Sequence, residues 1–260
     1  MIDIKVSVLI ANHNNSQFIH DCLNSLNEQT HKNIEVIFFD DCSLDNSIEE
    51  IKKFSNINLI VNQKNTRFGS YNQMNAYKKA FEKSSGNIIF FLDSDDYFHK
   101  DKIEKVVNKF KLDKKLKIVF DLPIYKYENK IKKKIYNNNK FLKNYWPFIF
   151  PQSCISIRRD CIEKVFKEIY FESFSDIWMD FRISIYSKFI LKNFIILKEN
   201  LTYYRQSNFN VSSKFKFLGK SWWKRRLEAH QYTVTFFKKN NIHHSKNFDY
   251  IITKLINKFI

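Results

Sequence analysis

Glycine and proline are scarce in this 260-residue chain, three of each. So little of either argues against a long flexible linker. Cysteine is nearly as rare. Cys22, Cys42, Cys154 and Cys161 show neither a CxxC pair nor a Cys/His metal spacing, so no disulfide scaffold is expected and a reduced, cytoplasmic protein fits. Long apolar runs are missing too. Nothing approaches the roughly 20 residues of a membrane span, which predicts a chain not threaded through a bilayer. The N-terminal run Val6–Ala11 is too short for a signal-peptide core and has no small-residue cleavage site after it.

What is present is apolar and basic. Aromatics make up 17% of the residues, with 27 Phe, enough for the core of one large α/β domain or two small ones. The net charge of +17 is unevenly spread. Residues 1–97 carry 9 Lys/Arg against 13 Asp/Glu, residues 98–213 carry 24 against 12, and residues 214–260 carry 11 against 2. The back of the chain therefore suits an anionic membrane surface, a phosphorylated substrate or nucleic acid.

Hydrophobic patterning organises the front. Lys5–Ala11 and Ile34–Phe39 read as buried strands, Leu59–Val61 as a third and Ile88–Leu92 as a fourth. Between the first two, Ser16 is placed as the N-cap of a helix with Phe18, Ile19, Cys22, Leu23 and Leu26 on one face. A second helix reaches about Phe54. Strand–helix alternation predicts an α/β fold, a mostly parallel central sheet with helices on both faces. Ligands of such sheets sit at the carboxyl ends of the strands. Polar clusters lie at those ends: Asn12–Asn15, Asp40–Asp45, and Asp93, Asp95 and Asp96 of the DSDD turn. Three carboxylates within four residues call for a cation, and a divalent ion shared with a diphosphate fits.

Residues 5–97 resemble the nucleotide-binding half of the family 2 glycosyltransferases, which have the GT-A fold and include bacterial capsule and lipooligosaccharide enzymes. The matching pieces are VSVLIANHN, SLNEQTHKNIEVIFFDDCSLDNS and FLDSDDY, with Gly69 and Asn75 at the spacing of a third motif. The resemblance implies an inverting, metal-dependent hexosyltransferase. Its donor would be a nucleotide diphosphate sugar, UDP-linked, and its acceptor a glycan or lipid-linked glycan. It implies nucleotide contacts from Ala11, His13, Asp41, Asp93, Ser94 and Asp95, and a Mn2+ or Mg2+ ion on Asp95 and Asp96. Where many members carry Arg before the asparagine, this chain has Met74, which leaves Arg67 to supply positive charge. The implied divisions are 1–97 for the nucleotide sugar, 98–213 for the acceptor and 214–260 as a basic helical tail.

Further on, a helix is expected over roughly Lys102–Phe110 and a strand over Leu116–Asp121, ended by Pro123. The lysine-rich run Tyr125–Lys143 reads as a solvated hairpin or loop. In FSDIWMDFR, Asp176 and Arg182 stand six residues apart, the spacing of the family's catalytic acid and its arginine. Ser175 replaces the usual Glu. Asp176 is therefore the expected base, with Asp180 as its rival. LTYYRQSNFNVS resembles a closing YR-x-H element, with Tyr204 and Arg205 matching and the histidine absent. In the tail, Trp223, Leu227, Val234 and Phe237 form one apolar stripe and Ile252, Leu255, Ile256 and Phe259 another. Both are expected to pack, leaving the tail's charge free to face the inner surface of the cytoplasmic membrane. A nucleotidyltransferase and a basic nucleic-acid-binding protein are the alternatives. Acidic clusters along the ligand edge would repel a phosphate backbone, so no nucleic acid is expected.

Overall fold

The structure is a computed structural model that describes residues 4–136, 146–171, 173–206, 215–243 and 247–260. Its first half alternates as the hydrophobic pattern requires: β1 (Val6–Asn12), α1 (Ser16–Asn27), β2 (Ile34–Asp40), α2 (Ser47–Lys52), β3 (Ile57–Val61), α3 (Gly69–Glu82) and β4 (Ile88–Asp93). These four strands are parallel in the order β3-β2-β1-β4, with Val6 opposite Ile34 on one side and Ile88 on the other.

The second half contains β5 (Tyr97–Phe98), α4 (Lys102–Leu112), β6 (Ile118–Lys126), β7 (Ile131–Lys133), β8 (Ile155–Arg158), α5 (Arg159–Ile169), α6 (Met179–Tyr186), β9 (Phe194–Arg205), α7 (Lys220–Lys239) and α8 (Phe248–Ile256). β8 joins β4 antiparallel and the sheet continues through β6, β9 and β5, with β7 as a hairpin on β6. The result is the GT-A arrangement, a Rossmann-like parallel sheet extended by a mixed half.

Two apolar layers hold this sheet between helices, and strand alternation sorts residues between them. Leu9, Ile37, Phe39, Ile89 and Phe91 face the layer built with α3, α5, α6 and α7. Val8, Ile10, Phe38, Ile88, Phe90 and Leu92 face the layer built with α1 and α4. Where β1 and β4 begin, a Cβ on Gly86 would lie 2.4 Å from the Ser7 nitrogen, so only glycine fits. The Gly86 N–H donates to Ser7 Oγ and to Glu35 Oε1, both at 2.8 Å.

Several elements differ from the expectations. Ser16 is the first residue of α1 rather than its cap. Asn15 holds that position, and the Ser16 N–H donates to Asp45 Oδ2 at 2.8 Å. Pro123 lies inside β6 instead of ending it. The β6–β9 register shifts there, and a bulge tolerates a residue without an N–H. The lysine-rich run forms the β6–β7 hairpin up to the part, 137–143, that lies outside the described residues. The two C-terminal stripes part company. α7 buries Ala229, His230, Tyr232, Thr233, Phe236 and Phe237, a face rotated from the one expected. α8 buries only Thr253 and exposes Phe248, Ile251, Ile252 and Leu255. No helix among the described residues is long and apolar enough to cross a membrane, and the four cysteines are free thiols.

Candidate functional site

The parallel strands end at a cleft of about 1020 Å3. β1 contributes Ala11 and the following His13, and the turn after β2 contributes Asp41. The segment leading into α3 contributes Arg67, and β4 with its turn contributes Asp93 and Asp95. Six residues singled out from the sequence thus converge on one wall.

The loop after β2 is shaped by its own carboxylates. Asp40 is buried and accepts from Asn12 Nδ2 at 2.7 Å, Ser43 Oγ at 2.6 Å and the Ser43 N–H at 3.0 Å. This leaves its neighbour Asp41 to face the cleft, where Oδ1 accepts from Asn62 Nδ2 at 2.7 Å. His13 lies 2.7 Å from the Asp41 carbonyl through Nδ1. A carbonyl only accepts, so Nδ1 carries the proton and Nε2 accepts from Asn14 at 3.1 Å. Arg67 lies over the Phe68 ring at 4.8 Å, while Met74 is buried in the core.

The DSDD turn divides its carboxylates between ligand and scaffold. Asp93 Oδ1 accepts from Gln73 at 2.6 Å and Tyr77 at 2.7 Å. Asp96 does not reach the cleft. Its oxygens accept from Ser153 Oγ at 2.6 Å and the Arg205 N–H at 2.8 Å, so the structure sets it behind the turn. Ser94 is also behind the turn, its N–H on the Ala11 carbonyl and its Oγ accepting from Asn15. Arg205 fixes the turn from outside through the Asp95 carbonyl at 2.8 Å and an ion pair with Asp21 at 2.8 Å. The remainder of the YR-x-H-like stretch, 207–212, lies outside the described residues.

Asp95 faces the cleft, and among the described residues its carboxyl has no hydrogen bond from another side chain and no ion pair. Burial, reinforced by the charge of Asp93, pushes its pKa up to about 7. Burial likewise raises Asp93 and Asp96. At Asp95 the charge of Arg205 and a backbone N–H offset this only in part, and such a carboxylate suits a cation. No three described His, Cys, Asp or Glu side chains form a cage. A divalent ion held by one or two carboxylates, substrate phosphates and water matches that donor set.

The opposite wall comes from later in the chain. Asp180, in the first turn of α6, lines the cleft, whereas Asp176 does not. The reason is local. α6 begins only at Met179, so Asp176 sits in the preceding turn, where its N–H donates to Glu228 and its carbonyl accepts from Arg225 Nε at 2.8 Å. Arg182 is fully buried and donates to the carbonyls of Ile169, Phe171, Phe174 and Ile177, tying that turn to α5 instead of pairing with Asp176. Burial pushes Asp180 up to about 8.

Also on this wall are Trp146, Trp178, Phe181, Phe215, Trp222, Arg225 and Arg226. Sequence reading assigned Arg225 and Arg226 to a basic tail. Their place in the site depends on contacts across the chain, such as Arg225 Nη2 with Ser70 Oγ at 3.1 Å, which no local spacing announces.

Residues 7–166 match the profile of Glycosyl transferase family 2. The chain belongs to this family. It is 29% identical over 220 residues to an uncharacterized glycosyltransferase of Nostoc sp., covering 78% of this chain and 65% of that one. It is 33% identical over 104 residues to poly(ribitol-phosphate) β-N-acetylglucosaminyltransferase TarS of Staphylococcus aureus, covering 39% of this chain and 18% of TarS. This chain therefore spans less than two thirds of either relative. Among solved structures, TarS 1–349 with UDP-GlcNAc superposes with a TM-score of 0.64 at 18% identity, over 98% of this chain and 70% of that one. A Pyrobaculum calidifontis mannosyltransferase with GDP-Man and Mn2+ gives 0.60 at 15% identity, over 99% and 70%. At these identities the likeness establishes the fold.

Proposed function

We propose that the protein transfers a sugar from a UDP-linked donor to a hydroxyl of a bacterial surface glycan, with inversion and with a divalent ion. The observation that carries this reading is the two-walled cleft: Asp41, Asp93 and Asp95 at strand ends on one side, and Asp180 on the other. Asp41 offers an oxygen to the N3–H of uracil, and Ala11 and His13 flank the base. Asp95 is the carboxylate for Mn2+ or Mg2+, which when bound would stabilise charge on the departing diphosphate. Asp96 and Arg205 keep the turn in shape. TarS, solved with UDP-GlcNAc, supports the choice of uridine among bases.

Asp180 replaces Asp176 as the proposed base. The acceptor oxygen attacks the anomeric carbon from the face opposite the diphosphate and its proton passes to the Asp180 carboxylate. The bond to the phosphate oxygen breaks, and UDP leaves. Among the described residues the Asp180 carboxyl accepts hydrogen bonds only from backbone N–H groups at its own helix start, so an oxygen is available. A pKa of about 8 makes it a stronger base than an ordinary carboxylate while keeping about one molecule in ten ionised at pH 7.

For location, the proposal is the cytoplasmic side, peripheral on an anionic membrane. The positive charge of residues 98–260 and the apolar face of α8 support it.

Calorimetry with UDP, GDP, CMP and dTDP sugars, with and without Mn2+, tests the reading. Metal-enhanced binding of UDP-sugars, lost in Asp95→Ala and weakened in Asp41→Ala, is expected. Nucleoside triphosphates binding in preference to diphosphate sugars would instead indicate nucleotidyl transfer.

A further inference from the structure

A phenol stands between the two carboxylate-bearing walls of the cleft. Tyr204 lies near the end of β9, opposite Tyr125 of β6. The two rings meet edge-on with centroids 5.8 Å apart, which holds the Tyr204 ring in place. Its neighbours in the strand serve the scaffold. Tyr203 stacks on Tyr97 at 4.4 Å, and Arg205 ties down Asp96 and the Asp95 carbonyl. Successive residues of a strand point to opposite faces, so Tyr204 is turned away from both, and it lines the cleft.

The Tyr204 hydroxyl makes no hydrogen bond among the described residues, and it is not one of the enclosed polar atoms. An oxygen in that position is open to a ligand. The charges of Asp96, Asp95 and Asp93 reach it from the turn after β4, and that of Asp180 from the opposite wall. Burial, helped by these carboxylates, pushes the phenol well above its usual range. It therefore keeps its proton near neutral pH and remains an uncharged donor. An ammonium set among the same carboxylates would be drawn into an ion pair with one of them, whereas a hydroxyl stays available.

In the glycosyl-transfer reading the diphosphate goes to Asp95 and the attacking oxygen to Asp180. The transferred sugar spans the gap between them, and a hydroxyl placed there meets that sugar. We propose that Tyr204 reads the transferred sugar, donating its O–H hydrogen to one ring hydroxyl of a hexose. The proposal rests on the glycosyl-transfer reading and names a residue that selects its sugar. Tyr204 acts by binding and takes no proton. A site that hydrogen-bonds a substrate hydroxyl discriminates against sugars lacking it, because the protein's polar group is then left unpaired.

Calorimetry with Mn2+ present compares UDP with UDP-glucose, UDP-galactose and UDP-N-acetylglucosamine. The sugar bound most tightly is then replaced by analogues that each lack one of its hydroxyls. Tyr204→Phe removes the oxygen and keeps the ring against Tyr125. It should weaken the UDP-sugar about 3–10-fold, the net value of one hydrogen bond, and leave UDP within twofold. One analogue should bind the wild type more weakly than the parent sugar does and should lose nothing further in Tyr204→Phe, because both changes remove the same bond. Unchanged affinity for the UDP-sugar in Tyr204→Phe would overturn the proposal. So would an equal loss of UDP affinity, which would place the phenol at the nucleotide, or additive losses for every analogue. In each of these cases wild-type binding of UDP leaves glycosyl transfer standing. A wild type that binds neither UDP nor any UDP-sugar overturns both.

Discussion

Lys102 and Asp121 form an ion pair of 2.8 Å in which neither side chain is appreciably exposed. It is linked to the carboxylate turn through Ser153. The Lys102 ammonium also donates to the Ser153 carbonyl at 2.5 Å and to Thr202 Oγ1 at 2.6 Å, and Ser153 Oγ in turn donates to Asp96. Burial raises Asp121 even with Lys102 beside it, so removing the ammonium leaves a carboxyl group with little support.

Lys102→Met should therefore destabilise the fold by about 3–5 kcal/mol, the usual cost of breaking a buried pair from one side. At 260 residues this corresponds to a melting temperature lower by on the order of 10 °C, read by circular dichroism. A change under about 2 °C would mean that the pair is not a structural element.

Asp180→Asn should lower turnover by about 10²-fold or more with donor affinity near wild type, because a base acts mainly in the transition state. Asp176→Asn should stay within a few-fold. The pH profile provides a second readout. A carboxyl raised to about 8 is mostly protonated at pH 7, so kcat/KM of the wild type should climb with pH until about 8 and then level, while the residual rate of Asp180→Asn should be flat across that limb. The reverse result for the two aspartates would return the role to Asp176.

Glu35 straps β2 to the start of β4, accepting from Ser7 Oγ at 2.5 Å and the Gly86 N–H at 2.8 Å and pairing with Lys5 at 2.7 Å. Burial by itself would raise its pKa. The contacts from Lys5, Ser7 and Ser85 outweigh burial and hold it at about 2. A depressed carboxyl stabilises the fold above its unfolded pKa, and that contribution is lost as pH falls from about 4.5 to 2. Glu35→Gln should cost on the order of 2 kcal/mol at pH 7 and progressively less toward pH 3, measured by urea midpoints. A gap independent of pH would show that the strap does not depend on charge. Gly86→Ala should cost about 1–3 kcal/mol by overpacking, since the methyl would press on the backbone of Val6 and Ser7 and on Ser7 Oγ.

The protein should bind anionic vesicles in a salt-sensitive manner and neutral vesicles far less, because each exposed Lys or Arg near such a surface contributes on the order of 1 kcal/mol. Ile252→Ser with Leu255→Ser on α8 should weaken the binding further. Equal sedimentation with both vesicle types would exclude the electrostatic attachment.

Much of the strand-end wall was legible because it is local. Alternation through Val8, Leu9 and Ile10 sets the strand, and the strand's end sets where Asp93 and Asp95 appear. Asp176 falls outside the cleft lining because its spacing to Arg182 is a property of the chain, whereas α6 starts only at Met179 and Arg182 packs beneath the preceding turn. Asp96 lies behind the turn for a related reason. Three clustered acids look equivalent until Ser153, 57 residues on, takes one of them. Arg225 had no local signal, since its neighbours Trp178 and Ser70 come from distant segments.

The family profile ends at residue 166, before α6 and α7 begin. Asp180 and Arg225, which line the cleft opposite the strand ends, thus lie downstream of the matched segment. Exchange of the chain beyond α5 would therefore replace one wall of the cleft while leaving the strand-end loops of the other as they are.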